Sequence, residues 1–570
     1  MDKNEIANIL EEIAILLELK GENPFKVRAF QNASRTIETL SENIEVLVKE
    51  KRLTSFKGIG EGIAGVITDL VTKGKSKEYE ALKKGLPEGL FEMLKIPGLG
   101  PKKVKKLYDV LHIKSVGELE YACKENRLLK LEGFGEKTQS KILEGIGHFK
   151  KFQGQFLFPH AYFEALQVVD ILKKNKNVKR IEIAGSLRRK KELVKDIDIL
   201  ISSPRCGDVM DAFVKMKMVK NVVAQGETKS SIHLTSGIQV DVRCVKDEEF
   251  PYALQHFSGS KEHNTALRSL AKKKGFKMNE YGLFKGNKNT PCTSEEDIYK
   301  KLGLSFIPPE LRENMGEIEA ALKGTLPELV SFKDIKGVFH VHTDMSDGNA
   351  SLEEMIKACE ELGFEYVGIS DHSQSAVYAH GLKPKDVKEQ HKLIDKLNKK
   401  LKNMTILKGI ESDILKDGSL DYKNDVLSSF DFVIGSIHSQ FNMPEKDMTK
   451  RLTKALQNKY LTMIGHPTGR LILGRKGYQV NVKELINTAS QEGKILETNA
   501  NPHRFDLDWR WGQYLKEKKV LTSINPDAHS KEGLKDYVLG VGIARKAWLE
   551  KKDILNTKSL KEVMKYLDVK

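Results

Sequence analysis

"AGSLRRKKELVKDIDILIS", residues 184–202, decides how the middle of the chain folds. Its second half alternates. Asp196 and Asp198 point to one side of an extended strand, and Ile197, Ile199 and Ile201 point to the other. The apolar side is a strand face packed on a core, and the open side carries two carboxylates that can act together. Farther on, "GIQVDVRCV" (237–245) repeats the pattern, with Ile238, Val240 and Val242 on one face and Asp241 on the other. Pairing the two strands gathers Asp196, Asp198 and Asp241. Three hard oxygen ligands plus substrate phosphates suit two Mg²⁺ ions. One ion can activate an attacking hydroxyl while the other steadies a leaving pyrophosphate. In the first half of the stretch, Gly185 lets the backbone approach a phosphate and Ser186 can donate a hydrogen bond to it. Arg188 or Arg189 can neutralise it.

Upstream, residues 5–50 and 61–83 have helical periodicity. Three stretches there are alike: "FKGIGEGIAGVI" (56–67), "LKIPGLGPKKVKKL" (94–107) and "LEGFGEKTQSKIL" (131–143). Each reads as a helix end, a Gly-x-Gly turn and a new amphipathic helix. The glycines allow positive φ and close backbone approach, and the new helix opens with free N–H groups. Such a turn can hold a phosphate without reading a base. Gly58, Gly60, Gly62, Gly98, Gly100, Gly133 and Gly135 are therefore candidate DNA contacts, with Lys102 and Lys103 adding charge.

Downstream of "GLSFIPPELRENMGEIEAALKGTLPELVSFKDIKG" (303–337), a proline-marked connection, one layout recurs: an apolar run with a metal-competent residue at its end. "KGVFHVHTDMSDG" (336–348) supplies His340, His342 and Asp347, and "FEYVGISDHS" (364–373) supplies His372. "TILKGIESDI" (405–414), "FDFVIGSIHSQ" (430–440) and "LTMIGHPTGR" (461–470) supply Glu411, His438 and His466. "KILETNANPH" (494–503) ends without an evident ligand, and "VLTSINPDAHS" (520–530) supplies Asp527 and His529. Helical patterns separate most of these runs. About seven strand–helix units with chemistry at the strand ends describe a parallel β/α barrel, whose active site gathers at the C-terminal ends of its strands. Six histidines and three carboxylates exceed the needs of one ion and suit a polynuclear site of Mn²⁺, Zn²⁺ or Fe²⁺. His380, His391 and His503 stand outside the pattern and are expected at the surface or on the substrate side.

The chain has 570 residues and a net charge of +16, of which +10 falls in residues 1–330. Length and mixed charge fit several folded domains, and the basic balance suits a phosphate-bearing partner. Five cysteines (Cys123, Cys206, Cys244, Cys292, Cys359) show no CxxC pair, so independent thiols in a reducing compartment are expected. No signal-peptide layout and no bilayer-length apolar run occur, so a cytoplasmic location with no membrane partner is expected.

Several motifs carry family resemblances. The three hairpins resemble helix-hairpin-helix motifs, which grip the DNA backbone, and "ENPFKVRAFQNASRTIETL" (22–40) resembles the small N-terminal domain of family X DNA polymerases. "GSLRR", "DIDIL" and "IQVDV" resemble that family's nucleotidyltransferase palm, and "QHFSGSKEHNTALR" (255–268) resembles its nucleotide pocket in the α/β thumb. The resemblance implies nucleotide-binding roles for His256, Phe257, Gly259, Ser260, Asn264 and Arg268. His256 replaces the usual tyrosine of the aromatic pair that screens the sugar. Some members use a lysine in the helix after the first hairpin to excise a 5′-deoxyribose phosphate; Val66 stands there in this chain and cannot be the nucleophile. The C-terminal pattern resembles the polymerase-and-histidinol-phosphatase (PHP) domain.

Together these resemblances imply a family X DNA polymerase with a C-terminal PHP domain, of the bacterial and archaeal kind. The expected domains are a helical DNA-binding region (1–90), a second helix-hairpin-helix region (91–150), palm (151–245), thumb (246–317), linker (318–333) and a distorted PHP barrel (334–570). Expected activities are template-directed filling of short gaps in DNA repair and a metal-dependent 3′–5′ exonuclease, with abasic-site endonuclease as a further option. Expected ligands are two Mg²⁺ at the palm, three Mn²⁺ or Zn²⁺ at the barrel, deoxynucleoside triphosphates and gapped or primer–template DNA, bound by a monomer. Two alternatives stay open: a polymerase whose PHP domain is structural or stores metal, and a PHP phosphomonoesterase of small molecules fused to a DNA-binding front end.

Overall fold

In a computed structural model the chain forms two compact units, Met1–Gln153 and Gly154–Lys570. All residues are described except 2, 39, 41, 85, 125–127, 129, 130, 153, 474, 475 and 568–570.

The first unit is helical. Helix Lys3–Lys20 buries Ile6, Leu10, Ile13 and Leu17, the four-and-three spacing of one helix face, against Pro24–Glu38 and Glu61–Lys73. A second core around Leu90, Met93, Val104, Leu107 and Phe134 holds the helices Glu88–Leu94, Pro101–Leu111 and Glu136–Phe152. The three Gly-x-Gly turns have one geometry. Gly58, Gly98 and Gly133 take φ of 95°, 88° and 88°, a left-handed region that an L side chain resists. The residue between the glycines, Ile59, Leu99 or Phe134, is buried each time and pins the turn to its core.

The second unit begins with a short antiparallel pair, β1 (Phe156–Leu157) with β3 (Leu193–Val194). Next to it lies a five-stranded sheet of β2 (Arg180–Ile183), β4 (Asp196–Ser202), β5 (Val219–Gln225), β6 (Lys229–Leu234) and β7 (Gln239–Val245), in the order β2-β4-β7-β6-β5. Strands β4 and β7 run parallel, and the other neighbours are antiparallel. Ile197, Ile199, Val240 and Val242 pack on one face with Ala161, Ala165 and Val168 of the helix Phe158–Leu172. Helices Phe250–Ser258, Lys261–Lys273 and Glu295–Lys301 follow with an antiparallel meander of β8 (Phe276–Asn279), β9 (Gly282–Lys285) and β10 (Lys288–Asn289). Helix Glu317–Lys323 adds Ile318 and Ala321 to the core of this module.

The cysteines depart from the expectation of independent thiols. Cys206 opens a helix laid across the sheet, Cys244 lies on β7, and their Cα atoms are 5.6 Å apart, joined by a disulfide. The pair is 38 residues apart in the chain, a contact made by the sheet and invisible to CxxC spacing. Cys123, Cys292 and Cys359 are buried outside this disulfide.

The remaining chain is a run of parallel strands: β11 (Gly337–Val341), β12 (Tyr366–Ile369), β13 (Thr405–Asp413), β14 (Phe432–Ser436), β15 (Met463–Ile464), β16 (Ile495–Asn499) and β17 (Thr522–Asn525). They pair in chain order, and a bridge between Val341 and Ala528 brings the two ends together into a near-closed barrel. These strands are buried on both faces, which is why they read as continuous apolar runs. Phe432 fills the barrel interior. A Cβ at Gly409 would lie 2.1 Å from its ring, so the neighbouring strand needs glycine there.

Candidate active sites

Pairing β4 with β7 brings the palm carboxylates together. Asp198 stands directly opposite Asp241, and Asp196 is two residues back on the same face. Burial, then the neighbouring charges of Asp196 and Asp241, pushes the Asp198 carboxyl up to about 7. Burial and Asp241 also raise Asp196. Asp241 goes the other way: its burial is outweighed by hydrogen bonds from Gln239, Ser231 and Lys229, the last with Nζ 3.2 Å from Oδ2. A cluster in which one acid resists ionisation beside two others is chemically suited to divalent cations.

In the "GSLRR" segment Gly185 faces the carboxylates, and both arginines have partners within the chain. Gly185 has φ +62°, and a Cβ there would sit 2.1 Å from Asp198 Oδ2, so its close approach is to the carboxylate cluster. Arg188 donates to Glu295 through both terminal nitrogens at 3.0 and 2.6 Å, and also to Ser258. Arg189 donates to Glu313 at 3.1 Å and to the Ser258 carbonyl at 2.5 Å. Ser186 is half-buried in the short helix Gly185–Arg188. Both arginines are held by acids more than a hundred residues away, which local sequence does not reveal.

The thumb residues lie on the end of helix Phe250–Ser258, the Gly259–Ser260 connection and helix Lys261–Lys273. Phe257 borders the cleft that contains Asp198 and Asp241, with Arg243 4.6 Å above its ring. His256 packs edge-on against Phe257 at 4.8 Å. Asn264 donates to the His256 carbonyl at 2.7 Å, and Arg268 lies 2.5 Å from His256 Nδ1. Burial, with Arg268 and Arg243 nearby, lowers the His256 imidazole, so it accepts from Arg268 in its neutral form. Gly259 takes φ +69° beside the Arg189 guanidinium, and Ser260 caps helix Lys261–Lys273 through the His263 N–H at 3.2 Å. In the first unit, Gly60 and Gly100 are the N-caps of helices Glu61–Lys73 and Pro101–Leu111. Gly62 lies inside the former and Lys102 and Lys103 inside the latter, with the Lys103 ammonium on the Gly98 carbonyl at 3.1 Å. Gly135 directly precedes helix Glu136–Phe152.

The barrel collects all nine expected ligands at one end. His342, Asp347, His372 and His529 form one group of facing donor atoms, and His340, His466 and Asp527 form a second. His340, His342 and Glu411, and His372, Glu411 and His438, form two more, so Glu411 and three histidines are shared between groups. Glu411 lies within 3.3 Å of nitrogens of His340, His372, His438 and His466. Burial and the nearby His529 and His372 lower His342 to about 3. Despite burial, Glu411 and Asp347 raise His372 to about 10. His340 Nε2, both ring nitrogens of His342, His466 Nδ1 and Glu411 Oε2 are buried without a hydrogen-bond partner. Buried lone pairs of imidazole and carboxylate aimed at one another fit divalent metal ions of borderline softness.

Sequence reasoning missed the residues that orient these ligands. Glu497, on β16, accepts from His340 Nδ1 at 2.6 Å, the His466 N–H at 2.6 Å, Asn499 at 3.0 Å and Asn525 at 2.8 Å. Asp413 pairs with His438 Nδ1 at 2.6 Å. Asp371, fully buried, takes hydrogen bonds from the backbone and side chain of Thr343 and from Gln390 and Ser346, fixing the loop that carries Asp347. Arg504 lies on Asp527 at 3.2 Å. Such partners set the tautomer and direction of a ligating imidazole. Glu497→Gln is expected to weaken metal retention and any barrel activity by roughly 10–100-fold while leaving the fold intact; metal analysis after dialysis, alongside far-UV dichroism, checks it. Of the three unassigned histidines, His380 and His503 are exposed as expected. His391 is not: its ring packs edge-on against Phe430 at 5.0 Å, and burial lowers it to about 4.

The chain is 42% identical over 571 residues to "DNA polymerase/3'-5' exonuclease PolX" of Bacillus subtilis, covering all of this chain and 99% of that protein. The chain belongs to the PolX family of DNA polymerases. Family patterns agree along its length: "Helix-hairpin-helix domain" matches residues 1–76, "SAM-like Helix-hairpin-helix tandem" 91–147, "DNA polymerase beta thumb" 253–313 and "PHP domain" 339–501. The "Repair DNA polymerase X" of an African swine fever virus isolate is 33% identical over 154 residues, 26% of this chain and 86% of the viral protein. A "Probable phosphatase" of Caldanaerobacter subterraneus is 25% identical over 250 residues, 40% of this chain and 90% of that protein. In this PolX chain Asp527 and His529 lie beyond the matched PHP span, and the geometry joins them to the other seven.

Proposed function

We propose that this chain is a DNA-directed DNA polymerase that fills short gaps during repair and whose barrel is a 3′–5′ exonuclease on the same DNA. The observation that carries the polymerase reading is the register of Asp198 on Asp241, which makes one carboxylate cluster from two strands. The complete nine-ligand cluster supports the nuclease reading over a purely structural barrel. Asp196, Asp198 and Asp241 would hold two Mg²⁺, and the barrel ligands would hold three Mn²⁺ or Zn²⁺. Metals there would supply a hydroxide nucleophile and stabilise charge on phosphate.

The protein's own residues do the rest. The Gly-x-Gly turns offer helix N-termini and Lys102 and Lys103 to the DNA backbone without base contacts. Arg189 meets the triphosphate after leaving Glu313, and Phe257 with His256 borders the sugar. Glu497 and Asp413 keep the ligating histidines in the tautomer that presents a bare nitrogen to the metal. The substrates are deoxynucleoside triphosphates and gapped or primer–template DNA, and the setting is the cytoplasm, with the protein a monomer. Among the described residues no helix is long and apolar enough to cross a membrane.

A primer labelled at its 5′ end and annealed to a template tests the reading. With Mn²⁺ alone the primer should shorten stepwise from its 3′ end; with Mg²⁺ and nucleotides it should lengthen to the template end. Release of inorganic phosphate from small phosphomonoesters, without primer shortening, would instead favour the phosphatase alternative.

A further inference from the structure

The arginine assigned to the triphosphate is fastened by a residue of the barrel. Helix Tyr537–Lys546 ends on Lys546, whose side chain is 0% exposed. Its Nζ donates to the Arg189 carbonyl at 3.0 Å, the Glu310 carbonyl at 3.4 Å and Glu313 Oε1 at 2.5 Å, so all three N–H bonds are engaged. The face of Trp509 lies 4.5 Å away. The same Glu313 oxygen accepts from Arg189 Nε at 3.1 Å, and Lys191 stands 3.7 Å from the other oxygen on a more exposed side chain. One largely buried carboxylate is thus shared by a buried cation from the palm and a buried cation from the barrel.

We propose that Lys546 is a positioning residue for the incoming nucleoside triphosphate: it remains as the counter-ion of Glu313 when Arg189 leaves that carboxylate for the phosphates. The inference rests on the reading of Arg189 as a triphosphate ligand. Its physical basis is the cost of a lone buried charge. Removing one partner of a buried pair is costly because the other is left uncompensated. With Lys546 in place, Arg189 can depart and Glu313 stays paired. Without it, the more distant Lys191 is the one other cation paired with Glu313 among the described residues, with Arg510 farther off, and Glu313 holds Arg189 back. Arg189 also donates to the Ser258 carbonyl, so its release frees the Ser258–Gly259 turn beside the cleft. The barrel thereby contributes to the polymerase site without reaching the nucleotide.

The test is steady-state incorporation of dTTP opposite template adenine by the full chain with Mg²⁺. Lys546→Met should raise KM for dTTP about tenfold and leave kcat within about twofold, because it weakens ground-state capture of the nucleotide. The double variant Lys546→Met/Glu313→Gln removes both buried charges, frees Arg189 and should return KM to within about twofold of the parent. A merely structural role for Lys546 gives no such rescue: a double variant as impaired as the single one overturns the proposal, as does an unchanged KM in Lys546→Met. Arg189→Ala separates the two readings. If it leaves KM unchanged, the triphosphate assignment itself fails. If it raises KM while Lys546→Met does not, only the role of Lys546 fails. Should Lys546→Met also lose the barrel's primer shortening, a sign of general unfolding, the double variant decides alone. A parent-like KM then supports the proposal, and a tenfold rise overturns it.

Discussion

Replacing Asp198 with asparagine is expected to reduce primer extension by about a thousandfold in kcat/KM and to leave primer shortening unchanged. The size follows from where Asp198 sits. It is the most buried of the three carboxylates, faces Asp241 in register and has Asp196 two residues away on the same face. Asparagine keeps the volume against Gly185 and removes the charge that two cations would share. Because it relieves like-charge repulsion and the cost of burying a carboxylate, the variant should melt at or above the parent temperature. Lost activity with undiminished stability separates a ligand from a scaffold residue. Undiminished extension by Asp198→Asn would sink the assignment of the polymerase site.

The second large effect belongs to Glu411. Glu411→Gln should reduce primer shortening by about a thousandfold and lower the metal bound per chain, with extension retained. Four histidines approach its carboxylate within 3.3 Å, and it takes part in two of the four candidate ligand groups, so its charge would serve more than one ion. A neutral amide would lack the charge needed to hold them. Single-nucleotide resolution of a labelled primer, with elemental analysis of the same preparation, reads both consequences. Shortening that persists in this variant, or in His340→Ala/His342→Ala, would place the nuclease elsewhere.

Much of the architecture was legible because it rests on short-range periodicity. Alternation in "DIDILI" and "QVDV" placed the three palm carboxylates on one face, and the structure pairs those strands in the register that joins them. Apolar runs ending in ligands announced the barrel, and the nine strand-end residues converge. What local pattern misses is partnership. Local pattern offers Arg188 and Arg189 to phosphate and does not show that Glu295 and Glu313, distant in the chain, pair with them. Cys206 and Cys244 meet only because a helix crosses the sheet. Glu497 had a signal that went unused: "KILETNANPH" was the one barrel strand left without chemistry, and its glutamate accepts from two of the ligand residues. Asp413 had one as well, two residues after Glu411 on the same strand.

The strict chain order of the barrel strands sets a timetable. His340 and His342 are made early in the barrel, but Asp527 and His529 come after its last strand, beside the bridge that brings its ends together. During synthesis, therefore, the three palm carboxylates exist long before the metal cage can be finished. A nascent chain that has not reached Asp527 carries the three palm carboxylates but lacks the last residues of the barrel cluster, and it lacks Lys546, which packs against Arg189. Of the two clusters, the barrel's is therefore the later to be assembled.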